Sequence, residues 1–358
     1  MGNLTIRSKR CNLLHMASKR TTLRDIAQAA GIHCGTVSRA LKDNPLVAVE
    51  TRERVQRIAK EMGYVPDPML SALTRYRWKT RTEQYRATIA WVTNGYSRTD
   101  WKCDTFSLYF QGAQERAASL GYTLEEFWLR EPGMNWRRNS EVLRARGIAG
   151  LILAPQPRVK MRVRLDWRNF SAVAIGYTTF SPHLHIVTND QFHSMVTVVR
   201  NVRARGYRRI VLWIQRVGDD RIDRGWTGGF LTQQQYWPES ERLPILYSGQ
   251  PLKSLRDWFE RYKPDAILGD EYIMRTVREI GYRVPEDIGV ASYAALNENA
   301  SNLCGIDENP KATGAAAVDL LVGMMNRGER GVPEIHRRIL VEGTWLEGTT
   351  LRPSPVAK

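Results

Sequence analysis

The sequence predicts two architectures in one chain: an all-α helix-turn-helix headpiece with a hinge helix, then an α/β domain of two lobes. Three observations predict it. Apolar residues recur at helical spacing from Leu23 to Met62, between clear cap signals. Two prolines, Pro66 and Pro68, punctuate the chain just afterwards, before a short run of helix formers. From Ala87 onward, short apolar runs alternate with helical stretches, the pattern of parallel sheets covered by helices.

In the headpiece, Thr22 is placed to cap a first helix, with Asp25 three residues on to reach back. Leu23, Ile26, Ala27 and Ala30 share one face, and Gly31 supplies the left-handed stop. After the turn at Ile32, a second helix spans roughly Cys34 to Lys42, with Val37, Ala40 and Leu41 inward. A third, about Val49 to Met62, turns Val55, Ile58, Ala59 and Met62 inward and closes at Gly63. Asp67 then suits an N-cap and Pro68 a first helical position. The helix they open, Met69 to Leu73, is too short to hold in water alone. A segment that orders only when docked is a coupling element.

The pattern TLRDIAQAAGI, TVSRAL, TRERV and GYVPDPMLSAL, from Thr22 through Leu73, resembles the lac-repressor/galactose-repressor family of bacterial transcription regulators. The resemblance implies base reading by Cys34, Gly35 and Arg39, and phosphate contacts from Arg24, Thr36, Ser38, Lys42 and Thr51. In the hinge helix it implies a DNA-facing set of Ser71 and Leu73, with Leu73 as the apolar wedge in the minor groove. Three positions depart from the family pattern: His33 replaces a capping serine, and Cys34 and Gly35 are small. Arg39 against a guanine edge is then the main specific contact, and Cys34 faces a thymine methyl instead.

Charge agrees with this placement. The 358 residues carry a net +16. Residues 1–86 hold 17 Lys and Arg against 7 Asp and Glu, an excess of +10, which leaves +6 for the rest. Phosphate neutralisation uses such an excess. The four cysteines, Cys11, Cys34, Cys103 and Cys304, show no metal spacing and point to a reducing, cytoplasmic setting. No apolar run is long enough to span a membrane. The start, residues 1–20, reads as a basic disordered extension without a signal-peptide core, and Met16 is a second candidate start.

The expected division is 1–20 extension, 21–66 helix-turn-helix domain, 67–82 hinge helix and linker, and 83–358 two-lobed effector-binding and dimerisation domain. Candidate strands in the large domain are Thr88–Thr93, Thr123–Phe127, Gly150–Leu153, Ala172–Ile175, Ile210–Ile214, Ala266–Leu268 and Ile288–Ala291. Candidate helices are Leu108–Leu120, Arg138–Ala145, Gln191–Arg205, Gly225–Gln234, Leu252–Tyr262, Tyr272–Ile280 and Lys311–Met325. Alternation of this kind argues parallel sheets with helices on both faces, and two such lobes hinged together make a clamshell. The resemblance implies a periplasmic-binding-protein-like sensor with chain crossings near Gly206, Glu308 and Pro333.

Ligands of parallel α/β lobes sit outside the carboxyl ends of the strands. Those ends point to Asn94, Tyr96, Trp101, Asn189, Asp190, Arg221, Arg224, Trp226, Asp270 and Tyr293. Carboxylates and arginines there suit hydroxyls, and a Trp or Tyr face suits a sugar ring. Trp226 stands where sugar-binding relatives carry Arg, Ala294 where an acid is common, and Gly269 where Asn is common. For Asp190 and Asp270 helix capping is the competing role, and for Trp226 core packing. No nucleotide loop, zinc-protease helix or nucleophile elbow appears, and no cofactor or metal is expected. His183, His185 and His193 lack the partners of a metal site. The resulting expectation is a homodimer, not an enzyme, that binds a pseudo-palindromic operator and responds to a small molecule, a carbohydrate or derivative. A sugar receptor that does not bind DNA is the alternative.

Overall fold

A computed structural model of the chain describes residues 21–41, 46–64, 87–102, 104–270, 272–295 and 302–353. Lys42, Ser71, Leu73 and the remainder of the hinge segment lie outside the described residues, as does the 1–20 extension. The chain divides into two compact units, residues 1–76 and 77–358.

The first unit holds three helices: α1 (Leu23–Ala30), α2 (Cys34–Ala40) and α3 (Val49–Glu61). Thr22 and Asp25 form a reciprocal cap. The Thr22 amide donates to Asp25 Oδ2 at 2.7 Å, and the Asp25 amide to Thr22 Oγ1 at 3.4 Å. Gly31 ends α1 at φ 66°, a conformation only glycine adopts cheaply. Ile26, Ala27, Ala30, Val37, Ala40, Val55 and Ala59 form the core that the helical spacing anticipated, joined by Val47. The Thr21 hydroxyl ties the start of the unit to its end by donating to the Met62 carbonyl at 2.7 Å.

The second unit is two parallel α/β lobes. In the first lobe the sheet order is β13-β7-β5-β3-β1-β2, with β1 Ala87–Thr93, β2 Tyr122–Trp128, β3 Gly150–Leu153, β5 Ser171–Ile175, β7 His185–Asn189 and β13 Arg338–Val341. Every pairing in it is parallel. In the second lobe the order is β14-β12-β11-β10-β8-β9, with β8 Ile210–Ile214, β9 Leu246–Tyr247, β10 Ala266–Gly269, β11 Gly289–Ala295, β12 Cys304–Asp307 and β14 Thr344–Leu346. Only β14 runs antiparallel to its neighbour. A short pair, β4 (Met161–Arg162) with β6 (Thr179–Ser181), forms a flap on the first lobe.

Helices α4 (Asp104–Ser119), α5 (Trp136–Ala145), α6 (Gln191–Ala204), α7 (Arg216–Arg221), α8 (Gly225–Gln234), α9 (Leu252–Tyr262), α10 (Ile273–Glu279) and α11 (Pro310–Arg327) cover the sheets. The segments α4 and α11, 200 residues apart, cross at glycines. A Cβ on Gly112 would collide with the Lys311 main chain, and one on Gly314 with that of Tyr109. Close approach of this kind excludes every larger residue.

The chain crosses between lobes three times, and two of the crossings are not where expected. The first is at Asn189–Gln191, not Gly206, because β7 still pairs within the first sheet while α6 packs on the second lobe. The second, at Asp307–Pro310, agrees with Glu308. The third is at residues 342–343, not Pro333, because β13 remains in the first sheet and β14 joins the second. Strands β7, β13 and β14 escaped the sequence pattern: β7, HIVTN, carries polar His185, Thr188 and Asn189 in a buried strand, while β13 and β14 are short edge strands of exposed and half-buried residues.

Candidate functional site

On the headpiece, α2 presents its first turn outward. His33 precedes it, and its Nδ1 accepts the Gly35 amide at 3.1 Å, so a histidine performs the cap that serine commonly gives. A Cβ on residue 35 would lie 3.2 Å from that nitrogen, so glycine there and histidine at 33 suit one another. Gly35, Thr36 and Ser38 are half-buried and Arg39 is exposed. Arg39 Nε donates to the Gly35 carbonyl at 3.1 Å, which lays the side chain along the start of the helix. Cys34 is half-buried and packs against the headpiece core, so it is less outward-facing than its position implied. Arg24 is exposed and Thr51 half-buried, on α1 and α3.

In the large unit the lobes face each other across the carboxyl ends of their strands. Arg221, at the end of α7 on the second lobe, donates to the main-chain oxygens of Gln156 (2.9 Å) and Pro157 (3.1 Å) on the first. Its guanidinium also lies 5.7 Å from the Phe106 ring of α4. Asn94, after β1, donates to Gln156 Oε1 at 3.0 Å and accepts from Arg130 Nε at 2.9 Å. The exposed Tyr96 ring lies under two guanidinium groups, Arg130 at 4.7 Å and Arg158 at 5.3 Å. The first-lobe rim is therefore cationic.

The second-lobe rim is aromatic and acidic. Trp226 and Tyr293 pack with ring centroids 4.3 Å apart and their planes tilted by 38°. Tyr293 is buried, and its hydroxyl is pushed well above the usual range, first by burial and then by the charges of Asp270, Asp219 and Glu308. Asp270 accepts the Tyr272 amide at 3.1 Å, and burial raises its carboxyl against that bond. Glu308, nine-tenths buried at the second crossing, is raised to about 8 by burial and by neighbouring Asp307. Four polar atoms around this region are buried without a hydrogen-bond partner: Thr93 Oγ1, Trp226 Nε1, Thr227 Oγ1 and Glu308 Oε1. Buried polar atoms are normally satisfied, so unpartnered ones at the end of β1, the start of α8 and the second crossing fit a site shaped for something polar.

Several expected cleft residues have other work. Trp101 is a core residue: it is buried against Trp91 and Phe110, and its indole donates to Glu126 at 3.0 Å. Asp190 caps α6, taking the His193 amide at 2.9 Å and the His193 ring at 3.1 Å. Asn189 is buried in the hinge. It accepts the Tyr109 hydroxyl at 2.6 Å and donates to Thr313 Oγ1 at 3.1 Å and to the Glu308 carbonyl. Arg224 is exposed and paired with Asp220 at 3.0 Å, and it lines a different cavity. Sequence reading did not single out Gln156, Arg130, Arg158 or, as a site residue, Glu308; it reads the Asp219–Asp220 pair as a solvated turn, whereas Asp219 is buried in α7. Only folding reveals which polar side chains become buried at a chain crossing.

Residues 22–67 match the family model for bacterial regulatory proteins of the lacI family, and residues 199–350 match a periplasmic binding protein-like domain. The chain is 25% identical over 297 residues to the HTH-type transcriptional regulator GalR of Streptococcus thermophilus, covering 76% of this chain and 82% of that one. It is 23% identical over 350 residues to the HTH-type transcriptional repressor PurR of Pectobacterium carotovorum subsp. carotovorum (strain PC1), covering 91% and 98%. Its fold is similar to that of the lac repressor dimer bound to operator and the anti-inducer ONPF. That match has a TM-score of 0.52, 20% identity, and coverage of 93% of this chain and 99% of the other.

Proposed function

With a lacI-type reader joined to a periplasmic-binding-protein-like domain, the chain belongs to the lac-repressor/galactose-repressor family of transcription regulators; from that premise we propose a homodimeric, cytoplasmic repressor whose operator affinity is set by a small effector, a carbohydrate or derivative. One observation carries the effector reading: the Trp226 ring lies 4.3 Å from that of Tyr293, and Trp226 Nε1, Thr227 Oγ1 and Glu308 Oε1 are buried without a partner. An aromatic face with carboxylates at its edge suits a ring bearing hydroxyls. The solved lac repressor of similar fold is a dimer on operator with an anti-inducer, which supports the dimer, the DNA and the ligand as a set.

In this reading the functional division is 21–66 reader, 67–82 hinge and linker, and 83–358 sensor. Two readers on one dimer address half-sites about one helical turn apart. Arg39 reads a base edge and Arg24, Thr36, Ser38, Lys42 and Thr51 hold phosphates. Paired hinge helices order on the operator, where Ser71 faces DNA and Leu73 enters the minor groove. The effector sits among Asn94, Tyr96, Arg221, Trp226, Asp270 and Tyr293. It alters lobe closure, and closure alters how readily the hinge helix forms. Such coupling is typically ~1–3 kcal/mol, on the order of 5–150-fold in affinity.

The test is a thermal-shift screen of the full chain against neutral sugars, repeated with Trp226→Ala. A sugar that raises the melting temperature of the parent and not of the variant supports the cleft. A sugar that stabilises both equally places its site elsewhere.

A further inference from the structure

A cavity of about 560 Å3 is lined from both lobes, by β5, β7 and β13 of the first and the α7–α8 segment of the second, and Trp226, Tyr293 and Asp270 are not among its lining residues. Its size falls within the ~300–1,000 Å3 usual for ligand pockets. We propose that this cavity is a second ligand site, separate from the polyol cleft, and that it takes a small organic anion with a ring face.

The charges come first. Lys160, on the loop before the flap, and Arg338, on β13, enter from the first lobe, and Arg224 from the second. Two carboxylates oppose these three cations. Asp220 is taken up by Arg224 at 3.0 Å, which leaves Asp223. Among the described residues, neither Lys160 nor Arg338 has a carboxylate within ion-pair distance. His183 and His336 add two ring nitrogen donors or acceptors each, stacked 5.8 Å apart at the mouth. An anion entering here meets charge-assisted donors from both lobes.

The apolar side is equally specific. Tyr177, Phe180, Pro182, Leu184 and Ile186 supply apolar lining from the first lobe beside those cations, with Ile186 next to Arg338 across the β7–β13 pairing. The Arg338 guanidinium lies 5.2 Å from the Tyr177 ring, and Phe180 meets the His183 ring edge-on at 6.0 Å. A planar ligand face extends that stack.

Backbone geometry marks the same place. Among the described residues five non-glycine positions have positive φ, and three of them line this cavity: Lys160 (56°), Asp223 (57°) and Arg224 (61°). Left-handed backbone is strained in such residues and gathers at ligand sites. Because both lobes contribute, occupancy biases lobe closure, so the anion modulates the response to the cleft ligand.

The probes are benzoate, phenyl phosphate, inorganic phosphate and benzyl alcohol, titrated calorimetrically into the full-length protein. Benzoate and phenyl phosphate separate carboxylate from phosphate chemistry. At least one of the two binds, and benzyl alcohol and inorganic phosphate each bind about tenfold weaker or not at all. Arg338→Gln and Lys160→Gln each weaken the ring-bearing anion about fivefold or more, while Trp226→Ala leaves it unchanged. Failure of both ring-bearing anions to bind overturns the proposal. So does equal binding of benzyl alcohol or inorganic phosphate, indifference to both cavity variants, or loss in Trp226→Ala instead. A failed sugar screen leaves this result untouched, since the two sites share no residue used here.

Discussion

The guanidinium of Arg221 reaches from one lobe to the main-chain oxygen of Gln156 on the other, at 2.9 Å. Gln156 is itself fixed, because its amide donates to Thr178 Oγ1 at 2.7 Å and its side chain to the Ala154 carbonyl at 2.8 Å. A cationic donor on a held carbonyl is a cross-lobe tie that opening must break. Arg221→Ala therefore loosens the closed arrangement. Amide exchange in residues 154–158 and 216–221 should accelerate several-fold relative to the parent. Unchanged exchange there would mean that the lobes are held by the hinge alone.

Stability of the large unit should fall as pH rises through the neutral range. Glu308 has its carboxyl raised from an ordinary 4.5 to about 8, by burial first and then by Asp307. Between those values the folded chain holds a proton that the unfolded chain has released. The contribution is complete below pH 4.5 and is lost as pH climbs through 8, on the order of a few kcal/mol at most. Urea unfolding at pH 5 and pH 8.5 checks this. Glu308→Gln should flatten the difference, and a variant with the parent's pH slope would assign it to another group.

His33 should be replaceable by serine and not by alanine. Its ring accepts the Gly35 amide at 3.1 Å, and losing an N-cap costs about 1 kcal/mol. In the full chain, His33→Ala should speed amide exchange across α2 by about fivefold, while His33→Ser stays near the parent. Equal behaviour of the two variants would show that the ring packs and does not cap.

The headpiece was legible almost residue by residue, because each signal there is local. Thr22 with Asp25, the Gly31 stop and the spacing of Ile26, Ala27 and Ala30 are set within a turn or two of helix. The inner strands were legible for a similar reason: β3, β5 and β8 are buried along their whole length and read as continuous apolar runs. The cleft was less so. Asn94, Arg221, Trp226, Asp270 and Tyr293 follow from the strand-end rule, but Trp101 obeys it in sequence and turns into the core instead. Nothing local distinguishes the two cases. Glu308 and Gln156 owe their roles to chain segments more than 60 residues away, which spacing cannot encode.

Arg39 should carry base preference out of proportion to its share of the charge. It is exposed on α2, and its Nε donates to the Gly35 carbonyl near the start of that helix. Arg39→Ala should relax preference at one operator position by roughly 1–3 kcal/mol. Uniform weakening on all sequences would make it a phosphate contact.

Selection from a random duplex library by the purified full-length protein, followed by sequencing, addresses the central claim most directly. The expected enrichment is a pseudo-palindrome whose half-sites lie about one turn apart, with binding that weakens steeply as salt rises. Recovery of no sequence above random competitor, at any salt concentration tried, contradicts a reader governed by a ligand-sensing clamshell.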